Sequence, residues 1–106
     1  KVRTIIREEF ENSFQDFDVI AMPTSPSTAF PLGSKLQDPL QMYLNDVLTL
    51  PANIAGIPGI SVPAGFAKRL PVGLQFMAGA LQEEKIFQVA HAYEKASDWV
   101  SCVPDL

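Results

Sequence analysis

The chain contains one cysteine and one histidine in 106 residues. Cys102 alone cannot close an internal disulfide, so a secreted cross-linked framework is excluded and a reducing compartment suits the chain. His91 and Cys102 together supply no metal site, and no metal or cofactor is expected in this chain. Positive charge is also scarce. Eight Lys and Arg against twelve Asp and Glu leave a net charge of −4, which gives no basic footprint for direct contact with nucleic acid. No uninterrupted apolar run approaches the ~18 residues that a membrane span needs. The first residues, KVRTIIREEF, are charged and amphipathic rather than a signal sequence. The expected setting is therefore the cytoplasm or an organelle matrix, with no membrane partner. The phosphate-cradling patterns GxxxxGK[ST] and GxGxxG are missing. The nucleophile elbow G-x-S-x-G is missing too, because Gly59-Ile60-Ser61 begins it but Pro63 takes its last position.

What is present suits one folded unit over residues 1–106. Apolar residues make up 47% and charged residues 19%, which argues against disorder and allows a modest core. Val2, Ile5, Ile6, Phe10 and Phe14 recur at three- and four-residue spacing and predict a helix over 2–16; Glu8, Glu9 and Glu11 read as solvated positions on it. Asp18 to Met22 is short, β-branched and closed by Pro23, the pattern of a buried strand. Pro23 to Gln37 turns to Pro, Ser, Thr and Gly and reads as loop.

Asp38-Pro39-Leu40-Gln41 then carries an N-cap acid, a proline at the first helical position and a glutamine placed to close a capping box. The helix it starts, 39–48, presents Leu40, Tyr43, Leu44, Val47 and Leu48 on one face and should stop near Pro51. Ile60 to Val62, cut by Pro63, and Val72 to Ala78 read as strands joined by a hairpin through Ala67–Pro71. A last helix over 82–99 turns Ile86, Val89, Ala90, Tyr93, Ala96 and Trp99 inward. The order helix, strand, helix, strand, strand, helix defines an α/β class with a mixed sheet flanked by helices. Its strands are apolar on both faces, as in the middle of a larger covered sheet.

Few residues invite chemistry. Asp46 is a carboxylate midway along an apolar helix, where it must face water, a cation or a donor, because burying it unpaired is costly. On pattern alone, a solvated position between Met42 and Thr49 accounts for it. Thr24 and Ser25 follow a strand, where α/β folds place ligand contacts, but ordinary turn residues explain them as well. Ser61 reads as a strand residue, and His91, beside Glu94 and Lys95, as a structural helix-flank histidine.

One stretch is more specific than the rest. DPLQMYLNDVLTLPANIAGIPGISVPAGF (Asp38 to Phe66), with FDVIAMPTSP before it and LPVGLQFMAG and VAHAYEKASDW after it, resembles the amidase-signature hydrolases. Within them it resembles the A-type subunits of the glutamyl-tRNA(Gln) amidotransferases. The resemblance covers almost the whole chain and matches the C-terminal part of that family, so it implies a C-terminal fragment of the amidase-signature fold. The implied reaction runs through an acyl-enzyme. A serine attacks the side-chain amide of glutamine, a second serine relays the proton, and a neutral lysine acts as base.

Ammonia then passes to a partner subunit that activates misacylated Glu-tRNA with ATP and Mg. The implied partners are glutamine, the other amidotransferase subunits and, through the complex, tRNA. None of the three catalytic residues is expected in this chain: Lys1, Lys35, Lys68, Lys85 and Lys95 have no matching motif around them. Met42-Tyr43-Leu44-Asn45-Asp46 matches the family motif M-Y-x-N-D, whose acid receives the amide nitrogen and later ammonia. The resemblance thus makes Asp46 the expected substrate-binding residue, and a carboxylate suits both groups. Two rivals stand beside this reading: a fragment of another amidase-signature hydrolase of small amides, and a non-catalytic interaction module. In either case, the uncovered strands suggest that the chain associates with itself.

Overall fold

A computed structural model describes residues 1–34 and 38–105. Its elements are α1 (Val2–Asp16), β1 (Ile20–Pro23), α2 (Pro39–Asp46), α3 (Leu50–Ala55), β2 (Gly59–Ala67), β3 (Leu70–Met77), α4 (Glu83–Ala96) and a 3₁₀ turn at Trp99–Ser101. The α/β class holds. The strands form one sheet in the order β1-β3-β2, and every described pairing is antiparallel. The end of the expected 23–37 loop, Lys35 to Gln37, lies outside the described residues.

The core lies between the sheet and α4. Register places Ile60 opposite Phe76 and Val62 opposite Leu74, so period-two alternation puts all four on one face. There Val62 and Phe76 pack with Ala90 of α4, flanked by Val89 and Tyr93. The Phe76 and Tyr93 rings meet edge-on at 6.1 Å, a favoured aromatic geometry. The opposite face of β3 carries Gly73, Gln75 and Met77, so this strand is not apolar on both faces. β1 is an edge strand whose residues are half-buried or exposed; it lacks the cover of the buried strand expected at Asp18 to Met22.

Several element boundaries differ from expectation, those of the helices for local reasons. α2 stops at Asp46, where the Thr49 amide and hydroxyl both bond the Asp46 carbonyl at 3.1 and 3.0 Å. Pro51 opens α3 instead of closing α2, because the first helical turn does not need the N–H that proline lacks. Gly56 closes α3 in the left-handed conformation, φ 70°, as helix ends often require. α4 stops at Ala96, where Ser97 turns extended and its hydroxyl bonds the Tyr93 carbonyl at 2.8 Å.

Trp99 therefore leaves the α4 face; from the 3₁₀ turn it meets Phe66 of β2 at 6.4 Å. Ala96 is exposed as well. The hairpin turn is as expected, built by Lys68 and Arg69 at φ 53° and 69°, the backbone of a type I′ turn. Pro63 does not end β2; the ladder continues across an irregularity between Pro63 and Phe66.

The Asp38 cap of α2 is as the sequence reads, its carboxylate accepting from the Gln41 backbone N–H at 3.3 Å; among the described residues no bond from the Gln41 side chain returns to close the capping box. Its apolar residues are not covered as a helix face should be. Leu40, Tyr43 and Leu44 are exposed. The principal packings of α1 on α3, and of α4 on β2 and β3, do not involve α2. Arg7 fixes the first of these, donating from Nε to the Ala55 carbonyl at 3.2 Å.

Candidate functional site

An open cleft of about 800 Å³ lies between the loop after β1, the C-terminal end of α2 and the β2–β3 hairpin. Its walls are built from the polar side of the sheet. The Thr24 amide donates to the Gly73 carbonyl at 3.1 Å, extending the β1–β3 ladder by one residue. Ser61 stands opposite Gln75 on β2. Over Gly73, the hydroxyls of Thr24 and Ser61 meet at 2.6 Å. Gln75 is the buried polar side chain of this face, and its Nε2 donates to the Leu48 carbonyl at 3.1 Å. That bond ties the α2–α3 connection down onto the central strand.

Asn45 and Asp46 close the cleft from the α2 side. The Ser25 hydroxyl donates to the Asn45 carbonyl at 3.3 Å, and the Ser27 hydroxyl to Asn45 Oδ1 at 2.7 Å. Asn45 Nδ2 in turn donates to the Gln41 carbonyl one turn back, at 3.0 Å. Asp46 is exposed and is the one ionisable side chain among the described lining residues. No described residue hydrogen-bonds or ion-pairs its carboxylate. Hydroxyls, an amide, a glycine and apolar proline, alanine, valine, leucine and phenylalanine residues make up the rest.

This arrangement can bind; it has no activated nucleophile. An unpaired carboxylate amid hydroxyl groups accepts hydrogen bonds from a carboxamide NH2 or an ammonium ion, and among the described residues no basic side chain lines the cleft to compete for it. Ser61 bonds another hydroxyl and not a base. His91 lies on an exposed position of α4, outside the cleft, and Cys102 is exposed with its thiol on the Asp98 carbonyl at 3.3 Å. Among the described residues, no three His, Cys, Asp or Glu side chains gather as metal ligands would, and no helix is long and apolar enough to cross a membrane.

Of the residues singled out in the sequence, Asp46, Thr24, Ser25 and Ser61 come together in one cleft, although they lie on a loop, a strand and a helix. Asn45 and Gln75 were not singled out. For Gln75 a signal existed: it is the lone polar side chain in the strand VGLQFMA. Gly73 in the same strand interior was a second, since glycine there marks a close approach.

The chain is similar to known proteins throughout. The Amidase family model matches residues 1–87. The A-type subunit of glutamyl-tRNA(Gln) amidotransferase from Microcystis aeruginosa is 55% identical over 100 residues, 93% of this chain and 21% of that protein. The corresponding protein of Bacillus pumilus is 52% identical over 106 residues, 100% of this chain and 22% of that protein. The crystal structure of the Thermotoga maritima counterpart superposes with a TM-score of 0.87 at 46% identity, over 92% of this chain and 21% of that one. The chain thus spans about a fifth of the length of the relatives it matches. With its fold, its cleft and a match over most of its length, the chain belongs to the Amidase family.

Proposed function

We propose that residues 1–106 form the C-terminal portion of the glutamine-hydrolysing subunit of a tRNA-dependent amidotransferase. That enzyme converts Glu-tRNA(Gln) to Gln-tRNA(Gln) in translation, using ammonia released from glutamine. The observation that carries the reading is Asp46: an unpaired carboxylate in the motif Met42–Asp46, on the wall of a cleft that carries no other charge among its described residues. The identity to the A-type subunits of glutamyl-tRNA(Gln) amidotransferases supports it.

In this reading Asp46 receives the amide nitrogen of glutamine and then the departing ammonia, and the hydroxyl-lined wall completes the pocket. The serine pair and lysine that perform the acyl transfer have no counterpart motif in these residues. The partners are the other amidotransferase subunits, one of which uses ATP and Mg, and tRNA is reached through them. The setting is the cytoplasm or an organelle matrix.

The test is glutamine-dependent ammonia release by the complete enzyme with Asp46→Ala. Loss of a charge-assisted hydrogen bond of about 1.5–3 kcal/mol lowers activity roughly ten- to a hundred-fold, with the circular dichroism spectrum unchanged. Glutamine kinetics equal to wild type would reduce Asp46 to a solvated helix residue and remove the basis for the reading.

A further inference from the structure

We infer that Asn45 is a positioning residue: the Ser25–Ser27 loop, acting through Asn45, sets where the Asp46 carboxylate stands in the cleft. The inference rests on the function proposed above. Beyond the Gln75 bond to the Leu48 carbonyl just after it, α2 is held by little else. Its apolar residues Leu40, Tyr43 and Leu44 are exposed, and it takes no part in the principal packings of the fold. Hydrophobic burial therefore does not fix its last turn, and directional bonds must.

Those bonds converge on the residue beside Asp46. Ser27 donates to Asn45 Oδ1 at 2.7 Å, Ser25 to the Asn45 carbonyl at 3.3 Å, and Asn45 Nδ2 to the Gln41 carbonyl at 3.0 Å. The amide side chain is used at both ends, accepting from the loop and donating to its own helix, so it couples the two. An apolar side chain in its place can do neither. A shift of ångström size in a contacting group is enough to lower activity substantially, so slackening this link displaces Asp46 without removing it.

The experiment uses the complete enzyme with Ser27→Ala, Ser27→Thr, Asn45→Ala, the double variant Ser27→Ala/Asn45→Ala, and Asp46→Ala as reference. Ser27 is exposed, so its truncation tests geometry without threatening the fold. Ser27→Ala and Asn45→Ala should each raise KM for glutamine roughly three- to ten-fold with a smaller change in kcat. The double variant should be no worse than the poorer single one, since both cut one link, and Ser27→Thr, which keeps the hydroxyl, should restore KM. If Asp46→Ala is impaired while the Ser27 and Asn45 variants keep wild-type KM, or their effects simply multiply, the positioning role is wrong and the proposed function stands. If Asp46→Ala is itself unimpaired, both fall.

Discussion

Thr24 Oγ1 and Ser61 Oγ meet at 2.6 Å over a glycine, and so join β1 and β2 across the strand that separates them. Neither edge strand pairs with the other. The meeting depends on Gly73 of β3. A Cβ built there would stand 2.7 Å from Ser61 Oγ, 2.9 Å from Thr24 Oγ1 and 3.3 Å from Thr24 Cβ. The last of these is anchored to backbone and cannot simply swing away.

Gly73→Ala should therefore destabilise the fold by about 1–3 kcal/mol, the usual cost of overpacking. Urea unfolding measures it. Adding Ser61→Ala removes the nearest atom, so Gly73→Ala should cost less in that background than in the wild type. An equal cost in both would show that the hydroxyl pair is not what the glycine accommodates.

Residues 1–106 alone should release no ammonia from glutamine. Ser61 is the serine nearest to an elbow pattern, and its hydroxyl bonds Thr24 in place of a base; the nucleophile needs such a base. The assay is ammonia formation above buffer by the purified chain. Activity that disappears on Ser61→Ala would place a nucleophile in this chain and overturn the assignment.

Leu81 holds φ 64° just before α4 and is 87% exposed. The left-handed region costs an L-residue about 1–2 kcal/mol, and glycine is free of that cost. Part of the gain returns as the larger unfolded-state entropy of glycine, of order 0.5–1 kcal/mol. Leu81→Gly should thus stabilise the chain by about 0.5–1 kcal/mol in urea unfolding. A loss of stability would mean that the Leu81 side chain contributes packing that its exposure conceals.

Local chemistry was legible in the sequence, and tertiary chemistry was not. The Asp38 cap with Pro39, the span of α1 and the hairpin turn all follow from short-range rules that the structure obeys. Where α2 ends depends on the Thr49 hydroxyl reaching the Asp46 carbonyl, a competition between local bonds that periodicity does not weigh. Trp99 fits the α4 repeat by spacing, yet it leaves that face because β2 offers its ring Phe66. For the site, the motif drew attention to Asp46. The Ser27–Asn45 bond links residues 18 positions apart through a loop of no regular pattern, and the Thr24–Ser61 bond spans 37. Nothing in the composition of either segment encodes such a meeting.

The exposed apolar surface leads to the last prediction. Leu40 is 63% exposed and Tyr43 56% on α2, and Leu32 is fully exposed nearby in sequence. Among the described residues, β1 and β2 each pair on one side only, which leaves two strand edges able to template further pairing. Large apolar patches are rare on true monomers. The isolated chain should therefore associate with itself at micromolar concentration, as read by size-exclusion chromatography with light scattering. Leu40→Glu with Tyr43→Glu should shift it towards monomer if the α2 face is the contact; if association persists unchanged, the strand edges carry it. A stable 11.6 kDa wild-type monomer that unfolds cooperatively would mean that the chain tolerates both surfaces uncovered, and the expectation drawn from them would be wrong.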